Sequence, residues 1–561
     1  MSYLTRVILV LAVVLFIAFK RRIRIPSGYR LPPGPKGWPL IGSAHKIGPY
    51  PCNQFQKWAA QYGEVFQVQI GLQRWVVLNS PDAIKDVLDK QSALTSGRPP
   101  MPVFHNQVSG DWRLVSMDYG PKWRRLRTAL HQCLSPKVAD ELRPGQEFES
   151  GQLLHDILTA NQNEQNCYDH VRRYATSVVM TAAYGQRIPS YVSGTTHPVR
   201  YLESLPLLTE HRSQDSNDFH EVYQIMDELN LAAQPLGFVA NDMPILYQLP
   251  EWMHWWKKRA FAMRDRQTRV WTAHWEKLKA QFREEKAPPC FAKSFLESAL
   301  KEGGLTEDEG LYLGGTLVEA GSGTTSATIL TAIKYLMANP RVQDRAFEEL
   351  STVIGSDRLP TFDDEASLPY IRSIAKEVLR MRPIVTAAVP HNNHTDVFYK
   401  DFIIPRGSNI AVCAYVPHYD ESRIEKPNEF CPERYLNHTL KSAAYANQGD
   451  PNLRDHFSFG HGRRICSGIH VAENSIFIVL ARLLWAYAIR PPFKTDGSLE
   501  AVDTSDEAFE PYKFNLEPKY YKARFIPRSK THAQVLKQNW NACQGGYLMR
   551  GTKVDSEGMV V

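Results

Sequence analysis

Apolar residues recur at three- and four-residue spacing over 138–182, 252–284, 306–338 and 371–381. That period predicts helices with one buried face. Thr306 followed by Glu309 has the form of a capping box opening the long third segment. Shorter runs rich in valine and isoleucine, VFQVQI (65–70) and WVVLN (75–79), alternate as strands do, and GLQR between them predicts a hairpin turn. The expected fold class is mainly α with a small β portion, one large domain without repeats. Residues 529–561 show no persuasive period and look like an appended tail without an assignable role.

The amino terminus breaks this pattern. Val7 to Phe19 is an unbroken apolar run of 13 residues, followed at once by Lys20, Arg21, Arg22 and Arg24. From Met1 about 19 residues precede the cluster, roughly the length that crosses a bilayer. A cleaved secretory signal carries its basic residues before the apolar run and a small-residue cleavage site after it; here only Arg6 precedes the run, the basic cluster follows it, and no such cleavage site precedes the cluster. The positive-inside rule then puts everything after residue 20 in the cytosol. Next comes LPPGPKGWPLIG (31–42), whose prolines stiffen a connector. The expected organisation is an anchor with its basic flank over 1–24, a proline-rich hinge over 25–45, a body over 46–528 and a tail over 529–561. Trp252, Trp255 and Trp256 beside Lys257 and Lys258 suit a lipid–water interface, although packing of the tryptophans on the core is the more expected outcome.

Composition narrows the class of partner. The 561 residues are 43% hydrophobic and 22% charged, which suits a folded chain with a large core. A net charge of +7 from 66 basic and 59 acidic residues is too mild and dispersed for a nucleic-acid partner. Eight cysteines without close pairs fit reduced thiols in a cytosol-facing protein better than a disulfide framework or a structural zinc site.

The chemistry concentrates in FGHGRRICSG (459–468). Paired glycines allow a tight turn and close approach to a bulky object, and arginines offer forked donors to carboxylates or phosphates. A single enclosed cysteine reads as a buried hydrophobe, a nucleophile or a metal ligand. Phe459, Gly462, Arg464, Cys466 and Gly468 spell F-x-x-G-x-R-x-C-x-G, which resembles the haem-binding loop of the cytochrome P450 family. Three further stretches match in the same order. Glu377 and Arg380 resemble the family's E-x-x-R pair, with Arg434 of PERY completing a triad. Trp123 and Arg127 in WRRLR resemble its W-x-x-x-R helix. EAGSGTTS (319–326) resembles its distal-helix signature.

The resemblance implies a haem-thiolate monooxygenase with haem b held by the Cys466 sulfur. By the same likeness Trp123, Arg127, Arg464 and His391 face the haem propionates, Phe459 shields the proximal side, and Gly468 admits the ring. Thr324 faces the oxygen site. Gly323 stands where the family carries an acid, and a glycine relays no protons, so Glu319 one turn earlier is the candidate substitute. This departure keeps open oxidative coupling, desaturation or rearrangement without net oxygen insertion. Substrate is expected to meet the loop 99–115, Gly315, Ala320, Val385, Ala388 and Phe509, a mostly apolar lining. Asp111 and Arg113 either orient polar groups of the substrate or are solvated loop charges, the latter being the more expected outcome. The resemblance further implies an endoplasmic-reticulum membrane protein fed by NADPH-cytochrome P450 reductase, with cytochrome b5 as a second donor, and resembles filamentous-fungal members of secondary metabolism. A peroxide-rearranging lyase or isomerase and a non-catalytic haem sensor or carrier are the competing classes.

Overall fold

A computed structural model of the chain describes residues 25–38, 41–160, 167–190, 217–234, 237–300, 304–511 and 515–561. The expected anchor over 1–24 lies outside the described residues.

The helices that position the site are α1 (Pro51–Tyr62), α2 (Pro121–Leu134), α3 (Arg143–Thr159), α4 (Cys167–Tyr184), α5 (Asn217–Ala233), α6 (Lys257–Arg283), α7 (Glu307–Ala338), α8 (Pro340–Val353), α9 (Pro369–Met381), α10 (Ile469–Ala486) and α11 (Lys530–Cys543). The strands are β1 (Val65–Ile70), β2 (Gln73–Leu78), β3 (His391–Asn392), β4 (Val397–Tyr399), β5 (Phe402–Ile404), β6 (Asn409–Val412), β7 (Tyr487–Arg490), β8 (Arg524–Pro527), β9 (Tyr547–Met549) and β10 (Thr552–Val554). The mainly helical expectation holds.

Helix α7 runs through the middle of the molecule, and its largest packing partner is α4. Its first turn carries the expected box: Thr306 N–H donates to Glu309 Oε2 at 2.8 Å, and Glu309 N–H donates to Thr306 Oγ1 at 3.3 Å. Those bonds satisfy amides that a helix start leaves orphaned. Helix α10 is apolar and long enough to cross a membrane, yet 83% of it is buried inside the protein, so it is a core helix.

A four-stranded sheet of order β1-β2-β6-β3 flanks the helices, with β1 and β2 antiparallel and β2 and β6 parallel. The hairpin turn is shorter than GLQR: Gln73 and Arg74 already pair with Ile70 and Gln69, leaving Gly71 and Leu72 as the turn. Gly71 takes φ 57°, which a two-residue hairpin demands.

The tail is not loose. Ser529 Oγ accepts from His532 N–H and caps α11, which packs along α3, and β9 and β10 form a hairpin over the same helix. Leu536, Met549 and Val554 are buried there. Phe148 stacks on Tyr547 with ring centroids 4.7 Å apart, and Arg187 donates to the Ser556 carbonyl. The sequence hid this element because α11 buries only His532 and Leu536, and a two-stranded ribbon adds little periodic signal.

Candidate functional site

The cysteine loop closes on itself through Cys466 N–H, which donates to the Phe459 carbonyl at 2.8 Å. Gly460 and Gly462 take φ 79° and 53°, the left-handed region that a side chain strains. Gly462 also lies against the Leu88 carbonyl, where a Cβ would clash, and its N–H donates to Asp89 Oδ1 at 2.7 Å. Gly468 serves differently: its φ is −88°, and a Cβ there would project into open space. Its amide instead points at the Cys466 sulfur and favours the thiolate. Burial is the larger influence and pushes the Cys466 thiol up. A cation bound at the sulfur is what shifts that balance to thiolate. The side chain is exposed although protein surrounds it on most sides.

Around this sulfur the structure gathers four residues read from separate motifs. Arg464 stacks on the Trp123 ring, 4.2 Å from Cζ to centroid. Arg127, one turn on from Trp123, reaches the Ile465 carbonyl and Ser467 Oγ, on either side of Cys466. His391 is buried, and its Nδ1–H donates to the Thr95 carbonyl at 2.8 Å. Burial and the nearby Arg98 bring its pKa down to about 3, so the ring is neutral.

Arg98, in SGRPP, is a fifth member that motif reading missed. It donates to the carbonyls of Val115, Val389 and Pro390 at 2.7–2.8 Å. Burial comes first, with repulsion from Arg464 and Arg127, in holding Arg98 well below the ordinary arginine range. Burial likewise takes Arg464 down to about 9. Among the described residues none of Arg98, Arg127 and Arg464 forms an ion pair, and the Trp123 indole N–H is buried without a partner. Half-buried cations left to backbone carbonyls and one hydroxyl, beside an orphaned buried donor, suit carboxylates.

The Glu377–Arg380–Arg434 constellation forms as expected. Arg380 makes a two-pronged pair with Glu377 at 2.7 and 2.8 Å, and Arg434 Nε reaches Glu377 Oε1 at 3.1 Å. Glu377 and Arg380 are fully buried. Arg380 also donates to the carbonyls of His418 and Pro427, at 2.7 and 2.9 Å, which pins the strand-to-loop connection ahead of the cysteine.

On α7, an open stripe runs along Thr316, Leu317, Ala320, Gly321 and Thr324 in a helix otherwise buried. Thr324 Oγ1 donates to the Ala320 carbonyl at 2.7 Å. Gly323 lies on the other side, where the methyl of Met226 on α5 occupies the volume a Cβ would need. Glu319 is buried and paired with Arg113. Arg113 is therefore no solvated charge: it is 3% exposed, whereas Asp111 is exposed and takes φ 63°.

Two expected lining residues face elsewhere. Phe509 is fully buried with its ring beside Arg382 and Lys334, 4.7 and 5.7 Å from the cationic centres. At Gly315 a Cβ would stand 2.6 Å from Nε1 of Trp271, so it packs on that indole. Val385 and Ala388 are half-buried, Ala388 at φ 51°. Trp252 and Trp255 are 84% and 67% exposed, against the packing expected for them, while Trp256 is buried.

Comparison with known proteins decides the family. The model of the Cytochrome P450 family matches residues 32–505. The chain belongs to the cytochrome P450 family. Among its relatives are the cytochrome P450 monooxygenase pgmC of Aspergillus terreus, 38% identical over 99% of this chain and 97% of the relative, and the cytochrome P450 monooxygenase verL of Clonostachys rogersoniana, 34% identical over 94% and 93%. The cytochrome P450 monooxygenase virE of Hypocrea virens is 32% identical over 93% and 89%. The protein is accordingly a P450 monooxygenase of the haem-thiolate type. The residues present fit a haem: one exposed sulfur, three arginines that pair with no acid and one unpartnered indole N–H, suited to an iron and two propionates.

Proposed function

We propose that this P450 oxidises a hydrophobic small molecule with dioxygen and electrons from NADPH-cytochrome P450 reductase, in fungal secondary metabolism. The supporting observation is the set of arginines gathered around Cys466 without a carboxylate of their own. Cys466 would hold the haem iron through its sulfur. Arg127, Arg464, Arg98 and the Trp123 indole would hold the two propionates, with neutral His391 beside them. A haem bound there supplies the dioxygen chemistry by which the family oxidises C–H bonds.

The chain's own residues orient and insulate that chemistry. Gly468 N–H holds charge on the sulfur. Leu317 and Ala320 give the open stripe of α7 an apolar surface that would exclude water. Thr324 keeps its hydroxyl proton on the Ala320 carbonyl, and rotation about χ1 turns it to the open stripe. Gly323 presents no proton donor, and Met226 fills its place. That packing favours a second reading, in which the substrate radical couples, desaturates or rearranges. Oxidation under labelled dioxygen separates the two: label enters the product in the first and water alone in the second. NADPH-dependent oxygen uptake separates both from a peroxide-rearranging lyase and from a haem carrier.

We assign residues 1–24 to a membrane anchor, 25–45 to a hinge and 46–528 to the haem domain, on the endoplasmic reticulum with the body cytosolic. Exposed Trp38 and Ile41 adjoin the β1–β2 turn, where Gly71 N–H donates to the Ile41 carbonyl at 3.1 Å. Gln73 Nε2 of that hairpin donates to the Asn241 carbonyl at 3.2 Å, leading into exposed Ile245, Trp252 and Trp255. These apolar side chains beside the hinge suit a lipid surface. The deciding experiment is the reduced, carbon monoxide-bound spectrum together with turnover by reductase-supplemented membranes. A Soret band at the position of histidine-ligated haem would refute the proposal.

A further inference from the structure

The turn Gly460–His461–Gly462 of the cysteine loop is gripped at both ends by charged side chains from outside it. Arg454 Nη2 donates to the Gly460 carbonyl at 2.7 Å, Nη1 to His461 Nδ1 at 3.1 Å and Nε to the His456 carbonyl at 3.0 Å. A guanidinium only donates, so His461 Nδ1 is the acceptor. The same guanidinium lies over the Phe457 ring, 4.8 Å from Cζ to centroid. At the far end of the turn Asp89 Oδ1 accepts from Gly462 N–H at 2.7 Å. Arg454 and Asp89 line one small cavity with Lys85 and Phe457.

The gripped residues hold the rest of the loop. The His461 and Gly462 carbonyls accept from Arg464 and Ile465 N–H, each at 3.2 Å, and the Phe459 carbonyl accepts from Cys466 N–H at 2.8 Å. Arg454 is 7% exposed, and among the described residues no carboxylate lies within ion-pairing distance of it. Asp455 beside it is taken by Lys376 at 2.5 Å. Burial draws Arg454 below the ordinary arginine range, and the charges of Asp89 and Asp455 oppose that. A buried charge of this kind is costly. Its use is geometric: one planar group spans acceptors on residues 456, 460 and 461, which the two amide protons of a glutamine or the point charge of a lysine do not.

We infer that Arg454 is a positioning residue for Cys466: with Asp89 it clamps the Gly460–Gly462 turn and so fixes where the sulfur points. Glycines in the left-handed region at both ends make the backbone of this turn permissive, and the two side chains remove that freedom. A shift of the turn is passed to Cys466 through the bonds from the 459–462 carbonyls to the amides that follow. The inference rests on the reading of Cys466 as the residue that holds the haem iron.

The test is the reduced, carbon monoxide-bound spectrum of the haem-loaded full chain, followed over time, beside thermal melting of the same samples. Arg454→Gln should lose the thiolate band roughly tenfold faster than wild type, with Arg454→Lys in between. Asp89→Asn, whose amide oxygen still accepts from Gly462 N–H, should stay near wild type, and Asp89→Leu should follow Arg454→Gln. Because both side chains act on one turn, the protein carrying Arg454→Gln and Asp89→Leu should decay more slowly than the product of the single effects. A wild-type decay rate in Arg454→Gln, or fully multiplicative effects, would overturn the clamp. If Arg454→Gln takes up no haem, its melting decides. Cooperative unfolding near that of wild type supports the clamp, and loss of it makes Arg454 a residue of the fold alone and overturns the proposal. Wild type without a thiolate band sinks the reading of Cys466 instead.

Discussion

Met226 on α5 places its terminal methyl in the volume that a Cβ on Gly323 of α7 would occupy. The glycine at the family's acid position is thus half of a packed pair. Gly323→Ala should destabilise the protein by about 1–3 kcal/mol through overpacking. The same change in a Met226→Ala background should cost much less, and thermal unfolding of the four proteins in a double-mutant cycle measures the coupling. Additive effects would show that the two side chains do not compete for space.

Gly323→Asp with Met226→Ala reinstates a carboxyl in room made for it. If the missing acid steers the outcome of oxidation, this double variant should shift products towards oxygen insertion, read as label incorporated from dioxygen. An unchanged product ratio removes Gly323 from the account of reaction type.

Glu377 carries two arginines and the Cys431 N–H, which donates to Oε1 at 2.8 Å. Removing it leaves fully buried Arg380 without its counter-ion. Glu377→Ala should cost about 3–5 kcal/mol and yield protein that retains little haem. Arg434→Ala should cost less, since Arg380 still neutralises the carboxylate. Haem absorbance per mole of purified protein and thermal melting report both.

His418 is wedged with both ring nitrogens used: Nδ1–H donates to the Arg380 carbonyl and Nε2 accepts from Phe457 N–H, each at 2.8 Å. Burial holds its pKa well below the ordinary 6.5. The unfolded chain therefore binds a proton that the folded protein refuses. Stability from this group is complete above about pH 6.5 and falls as pH drops below it, by up to about 1.4 kcal/mol per pH unit. Urea midpoints at pH 7 and pH 5 should differ accordingly, and His418→Gln should narrow the difference. A difference unchanged in the variant would assign the acid sensitivity elsewhere, for instance to buried His456, lowered to about 4.

Motifs with fixed spacing were the legible part of the site. Cys466, Arg464, Trp123 and Arg127 were each found from short patterns, as was the Glu377 triad, because local backbone geometry ties their residue types to one another. Arg98 and Arg113 were not. Each owes its place to a long-range contact, Arg98 with the carbonyls of Val389 and Pro390, Arg113 with Glu319, and a loop arginine carries no sign of such burial in its own neighbourhood. Phe509 and Gly315 erred the other way, since an apolar or small residue near a site reads alike whether it faces the opening or the core. Helices were legible wherever one apolar face ran for several turns, and α11, which buries only His532 and Leu536, was too sparsely apolar to declare itself.

The docking of the last thirty-odd residues on α3 sets an order of events during synthesis. Phe148 stacks on Tyr547, and Arg187, paired with buried Glu149 at 2.5 Å, donates to the Ser556 carbonyl. An early helix thus waits uncovered until residues 530–556 have been made and have folded onto it. A nonsense codon that spares every haem contact but deletes this closing strap would still yield a protein with bare aromatic surface, prone to degradation before it ever meets its cofactor.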